Sequence, residues 1–123
     1  MSDYQRKAHT NFPNSYLWSD EFNQEINSWC KENICDTMYW AFQIVSNDLP
    51  MHRDLGTKIK LTYILQTGGK DTVTEWYNDK EELVESVALE PFRWHIFKAD
   101  IYHAVKNITP GQQRFSITGR VFP

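Results

Sequence analysis

From Met38 onward the chain is cut into short β-branched and aromatic runs, each closed by a Gly, Pro, Asp or Asn cluster. That punctuation restricts the fold more than any other feature, because amphipathic helices need longer uninterrupted periodic stretches. Met38–Val45 (MYWAFQIV) has the composition of a buried strand. Ile59, Leu61, Tyr63 and Leu65 alternate with Lys58, Lys60, Thr62 and Gln66, broken only at Ile64. The alternation predicts a strand whose Leu61, Tyr63 and Leu65 side faces the interior. Gly68-Gly69 then predicts a turn, with Val73–Tyr77 as the partner strand. Val87–Leu89, Trp94–Lys98, Tyr102–Ile108 and Arg114–Val121 follow, separated by Pro91, Asp100 and Pro110-Gly111. About seven or eight such strands predict a mainly β chain, a sandwich or jelly roll.

One amphipathic helix precedes them. Ser19 is a suitable N-cap, and Asp20 and Glu21 suit the positive end of a helix dipole. Phe22, Ile26, Trp29 and Cys30 then recur at helical spacing through about Lys31. A second, weaker helical stretch is expected around Asp79–Glu85, and the tract holding Phe12, Pro13 and Asn14 reads as a loop or edge strand. With 123 residues and no repeat or linker, the chain is expected to form one domain over 1–123. A net charge of −3 gives no electrostatic reason to expect nucleic acid as a partner. Apolar runs fall far short of a membrane span, and MSDYQRKAHTNFPNSY lacks the apolar centre of a secretion signal. Cys30 and Cys35 are not in a Cys-X-X-Cys spacing, so free thiols and a cytoplasmic location are expected.

The residues that carry chemistry are His52, Asp54, His103 and Arg114. Two imidazoles and one carboxylate can occupy one face of an Fe(II) ion and leave the opposite positions open. In an extended segment residues two apart point the same way, so His52 and Asp54 reach one metal from a single stretch, and His103 must arrive from another strand. Arg114 offers a planar fork suited to gripping a carboxylate at two points. It shares a strand face with Ser116, Thr118 and Arg120, while Phe115, Ile117 and Val121 take the other. Such a polar face either looks at solvent or is buried around an anion. His95 reads as a packed or surface residue, and Trp40, Trp76 and Trp94 as core or wall.

The pieces His52-Arg53-Asp54, KLTYILQTGG and IYHAVKNITPGQQRFSITGR together resemble the Fe(II)/2-oxoglutarate-dependent oxygenases, a class that includes the prolyl hydroxylases. The resemblance implies a double-stranded β-helix (jelly roll) carrying one N-terminal amphipathic helix. It implies iron ligation by His52, Asp54 and His103, and 2-oxoglutarate held by Arg114 with help from Ser116. Tyr63, on the side expected to face the cavity, is a further candidate for the cosubstrate carboxylate. The activity implied is that of a dioxygenase consuming 2-oxoglutarate and O2, releasing succinate and CO2, and hydroxylating an organic or peptidyl substrate. The chain is short for that family, so a second copy or a partner protein is expected to complete the substrate site.

Two other readings stand beside it. One is a non-catalytic jelly-roll binding or structural module with a coincidental or vestigial metal triad. The other keeps the metal but changes the chemistry, as in a cupin-type dioxygenase or isomerase; the Arg114-X-Ser116 pair argues against it, since such enzymes need no cosubstrate anchor.

Overall fold

The computed structural model of the protein describes residues 18–54 and 56–121. Nine strands and one helix run in the order β1 (Trp18–Glu21), α1 (Gln24–Asn33), β2 (Tyr39–Val45), β3 (Leu49–His52), β4 (Ile59–Thr67), β5 (Val73–Tyr77), β6 (Leu83–Val87), β7 (Trp94–Lys98), β8 (His103–Lys106) and β9 (Arg114–Arg120). They form a five-stranded sheet, β1-β2-β9-β4-β7, and a four-stranded sheet, β3-β8-β5-β6. All pairings are antiparallel. Among the described residues the architecture is a mainly β jelly roll with a single helix. The tract containing Phe12, Pro13 and Asn14 lies outside the described residues.

The helix starts later than expected. Its N-cap is Asn23, whose side chain accepts from the Ile26 N–H at 3.0 Å. Ser19, Asp20 and Glu21 instead lie in β1, paired in register with Ile44, Gln43 and Phe42 of β2. Asn caps as well as Ser, and Asp20 is claimed by the buried Arg120, so the strand wins these residues. The packed helix stripe is Ile26, Cys30 and Ile34, against Met38, Trp40, Leu61 and Ile117. Phe22 and Trp29, expected in that stripe, are exposed.

Two further expectations are corrected. Asp79–Glu85 is not helical, because Asn78 closes a tight turn by accepting from the N–H groups of Lys80 and Glu82, and the chain returns as β6. Asn and Asp side chains compete with helix formation in this way. The strand expected at Val87–Leu89 is thereby displaced, since β6 ends at Val87. Gly68-Gly69 does turn the chain, with φ of 93° and 138°. However, β4 and β5 do not pair; the turn carries the chain from one sheet to the other. A Cβ at Gly69 would lie 2.1 Å from the Thr109 hydroxyl, so the crossover is pinned against the β8–β9 loop.

The faces of the larger sheet are the reverse of those suggested by hydropathy. Lys60, Thr62 and Ile64 of β4 are buried and point inward, beside Ser116, Thr118 and Arg120 of β9. The odd-numbered face, with Leu61, carries the helix. An apolar group of Trp18, Val45, Leu49, Val105 and Ile108 fills one part of the interior. At the centre of the outer face Gly119 lets Trp40 lie flat on β9, and an added Cβ there would sit 2.6 Å from the indole ring. Trp40 is wholly buried and its Nε1–H donates to the Cys35 carbonyl at 3.0 Å, so the ring cannot retreat freely. Gly119→Ala should cost about 1–3 kcal/mol of stability in chemical denaturation. A change under about 0.5 kcal/mol would show that this contact is not limiting.

Candidate metal centre

β3 and β8 place His52 and His103 directly opposite one another across an antiparallel pair, with ring centroids 4.4 Å apart. Each ring is oriented by its own backbone. The His52 Nδ1–H donates to the Pro50 carbonyl at 2.7 Å and the His103 Nδ1–H to the Ile101 carbonyl at 2.8 Å. A carbonyl can only accept, so the proton of each neutral ring sits on Nδ1 and its Nε2 presents a lone pair. Asp54 follows β3, its backbone N–H held by the Ala99 carbonyl at 2.9 Å. Its Oδ1 lies 3.3 Å from His52 Nε2 and 3.4 Å from His103 Nε2.

Three electron-donating atoms therefore face one another from residues that are largely buried. Two imidazole lone pairs and a carboxylate oxygen at these distances repel one another unless a cation or a proton lies between them. His103 Nε2 is buried without a hydrogen-bond partner. Fixed tautomers held by a second hydrogen bond, with Nε2 converging on a carboxylate oxygen, are what a metal-ligating His set requires. These three residues can hold a metal ion.

A fourth residue was not anticipated. Lys60 projects inward from β4, 6% exposed, and places Nζ 3.6 Å from Asp54 Oδ2 and 5.8 Å from the centre of the Phe97 ring. Burial pushes the Asp54 carboxyl upward, but the group is held well below the usual carboxylate range, with the Lys60 ammonium the largest opposing influence. The Lys60 ammonium is itself pushed down by burial, partly offset by Asp54. Its signal in the sequence was the polar side of the alternation, Lys60 and Thr62, lying in register with the equally polar β9.

Arg114 lies in the same interior, 5% exposed. Its Nη1–H donates to the Thr74 hydroxyl at 2.7 Å and its Nε–H to the Thr67 carbonyl at 3.3 Å, tying β9 to both sheets. Nη2 is buried without a hydrogen-bond partner, and no carboxylate pairs with the guanidinium among the described residues. Burial lowers its pKa to about 10. Ser116 lines the same cavity, its hydroxyl 3.1 Å from that of Thr118, which is 3.2 Å from that of Thr62. Arg120 is different, since both its terminal nitrogens grip Asp20, at 2.5 and 3.1 Å. The polar face of β9 is thus buried rather than turned to solvent.

Tyr63 is not brought to this place. Alternation puts Lys60, Thr62 and Ile64 inside, so Tyr63 lies on the other face, packed on Trp94 with ring centroids 5.1 Å apart. The space between His52, His103, Lys60, Arg114 and their neighbours is about 30 Å³, room for one water-sized group. His95 is a packing residue, its Nε2–H donating to the Glu90 carbonyl at 2.8 Å. Cys30 and Cys35 are free thiols. No helix among the described residues is long and apolar enough to cross a membrane.

The sequence matches no protein-family description and no curated protein. Solved structures do share the fold. An oxidoreductase of the 2OG-Fe(II) oxygenase family from Burkholderia pseudomallei superposes with a TM-score of 0.53 at 10% identity, over 80% of this chain and 51% of that one. The cupin domain of Schizosaccharomyces pombe Cnp3 gives 0.51 at 12%, over 86% and 64%. Hydroxypropylphosphonic acid epoxidase from S. wedmorenis gives 0.51 at 12%, over 68% and 43%. The chain spans less than two thirds of the length of each of these three. The likeness establishes a jelly roll of the kind found in cupins and in iron oxygenases.

The centre makes a graded prediction. His52→Ala and His103→Ala should each weaken Fe(II) or Co(II) binding by at least about a hundredfold, while far-ultraviolet circular dichroism stays unchanged. Asp54→Ala should lose the metal and also cost about 3–5 kcal/mol of stability, because it leaves the Lys60 ammonium buried without a counter-charge. Undiminished affinity in any of the three would remove that residue from the metal site.

Proposed function

We propose that the chain is an Fe(II)- and 2-oxoglutarate-dependent dioxygenase that hydroxylates an organic or peptidyl substrate with release of succinate and CO2. The observation that carries this reading is Arg114. A guanidinium 5% exposed, with one terminal nitrogen unpartnered and no carboxylate beside it among the described residues, calls for an anion from outside the chain. That it shares a cavity with His52 and His103 joins an anion site to a metal site.

In this reading His52, Asp54 and His103 hold the iron, which when bound supplies the chemistry of O2 activation. Arg114 takes the distal carboxylate of 2-oxoglutarate through its free edge, the planar match of guanidinium and carboxylate setting the orientation. Ser116 and Thr62 line the wall with hydroxyls that can shift partners to meet a second oxygen. The flanking sheets keep bulk water from the reacting atoms. Tyr63, on the outer face, takes no part.

One observation favours the alternative of a non-catalytic jelly-roll module. A space of about 30 Å³ is smaller than a five-carbon diacid needs, so cosubstrate binding requires lining side chains to move aside. A single measurement separates the two. Fe(II) and 2-oxoglutarate added without oxygen should give the visible charge-transfer band of an iron-bound 2-oxo acid. Iron binding with no such band would leave the non-catalytic reading.

Arg114→Lys tests how the anion is recognised. Lysine keeps the charge but loses the second, coplanar hydrogen bond. The 2-oxoglutarate concentration needed to raise the band should increase at least about tenfold, with iron affinity near normal. Tyr63→Phe should change neither. Equal titrations for the parent and the lysine variant would remove Arg114 as a two-point anchor.

A further inference from the structure

The two oxygens of Asp54 face different partners. Oδ1 is turned to His52 and His103, at 3.3 and 3.4 Å. Oδ2 is turned away from them to Lys60, whose Nζ lies 3.6 Å off. Lys60 has little freedom to leave. It is buried on the inner face of β4, opposite Phe97 and Arg120 in register, with its ammonium above the Phe97 ring. Asp54 Oδ2 is buried too and makes no hydrogen bond to any described residue, so Lys60 is the cation that faces it. A lone buried ion pair is a poor source of stability, because desolvation offsets most of the attraction. Its position against one named oxygen of one metal-centre carboxylate calls for a different explanation.

A carboxylate can meet a metal through one oxygen or through both. A second bound oxygen would occupy a position that an oxygenase must leave open for its other ligands. We propose that Lys60 is a positioning residue that engages Oδ2 of Asp54, so that the carboxylate presents Oδ1 alone to the metal. The proposal rests on the metal-centre reading of His52, Asp54 and His103. It assigns Lys60 a role through Asp54, without contact with substrate or cosubstrate.

Anaerobic titration of the full chain with Co(II) tests it, because the visible absorption of Co(II) reports the ligand field around the ion and needs no turnover. The parent should bind one Co(II), with water completing the shell, and give one defined set of visible bands. Lys60→Met should still bind Co(II), but with those bands changed in position and intensity as Asp54 swings round and its second oxygen displaces a water. Lys60→Arg should restore the parent spectrum, since a guanidinium also engages Oδ2. A purely structural ion pair would lower thermal stability in Lys60→Met and leave the spectrum of the bound metal unchanged, which would overturn the proposal. Should Lys60→Met not fold, Lys60→Leu carries the same comparison with a neutral chain that has no donor. Co(II) binding by Lys60→Met but not by the parent would also overturn it, making Lys60 a resident cation in the metal's place while sparing the triad. Absence of binding in every variant would instead overturn the metal-centre reading, and this proposal with it.

Discussion

The larger sheet turns Lys60, Thr62, Ser116, Thr118 and Arg120 into the sandwich, and the fold depends on how those groups are matched. Interiors of small β domains are normally apolar, because an unmatched buried charge costs several kcal/mol. Arg120 has Asp20, Lys60 has Asp54, and the three hydroxyls form a chain. Arg114 alone of the inward cations has no carboxylate among the described residues. Arg114 is thus the inward charge that the described residues leave unmatched.

The candidate metal centre and this polar face meet at Asp54. Its Oδ1 belongs to the histidine side and its Oδ2 to the lysine side, so one carboxylate joins the four-stranded sheet to the five-stranded one. The histidines arrive with their Nδ1 protons already committed to backbone carbonyls two residues away. Preorganisation of this kind lowers the cost of ordering ligands around an ion.

How much was legible in the sequence follows from what each signal measures. Strand composition and turn residues located most strands, because both are local properties, and left a sandwich or a jelly roll; the resemblance supplied the jelly roll. His52, Asp54, His103 and Arg114 were found through spacing and resemblance, and the structure brings the first three together with Arg114 in the adjoining cavity. Tyr63 and Lys60 were misplaced together, for one reason. Hydropathy assigns the apolar side of a strand to the core, but β4 has helix and aromatic cover on its apolar side and a buried polar site on the other. Ser19 failed as a cap because Asp20 has a partner 100 residues away in sequence, which no local rule can see. The pairing across Gly68-Gly69 failed because a turn fixes a change of direction but not which sheet receives the chain.

β9 is the last strand in sequence among the described residues, yet it lies between β2 and β4 in the middle of the larger sheet. During synthesis the earlier strands emerge with a gap where their central member belongs. Until Arg120 reaches Asp20, that carboxylate lacks its hydrogen-bonded ion pair, and the edges of β2 and β4 offer unpaired backbone to any passing strand. Folding of this chain is therefore a late, long-range event, governed by the arrival of one segment rather than by local growth. Cellular yield should respond most to what happens in that interval, when the sheet is open at its centre.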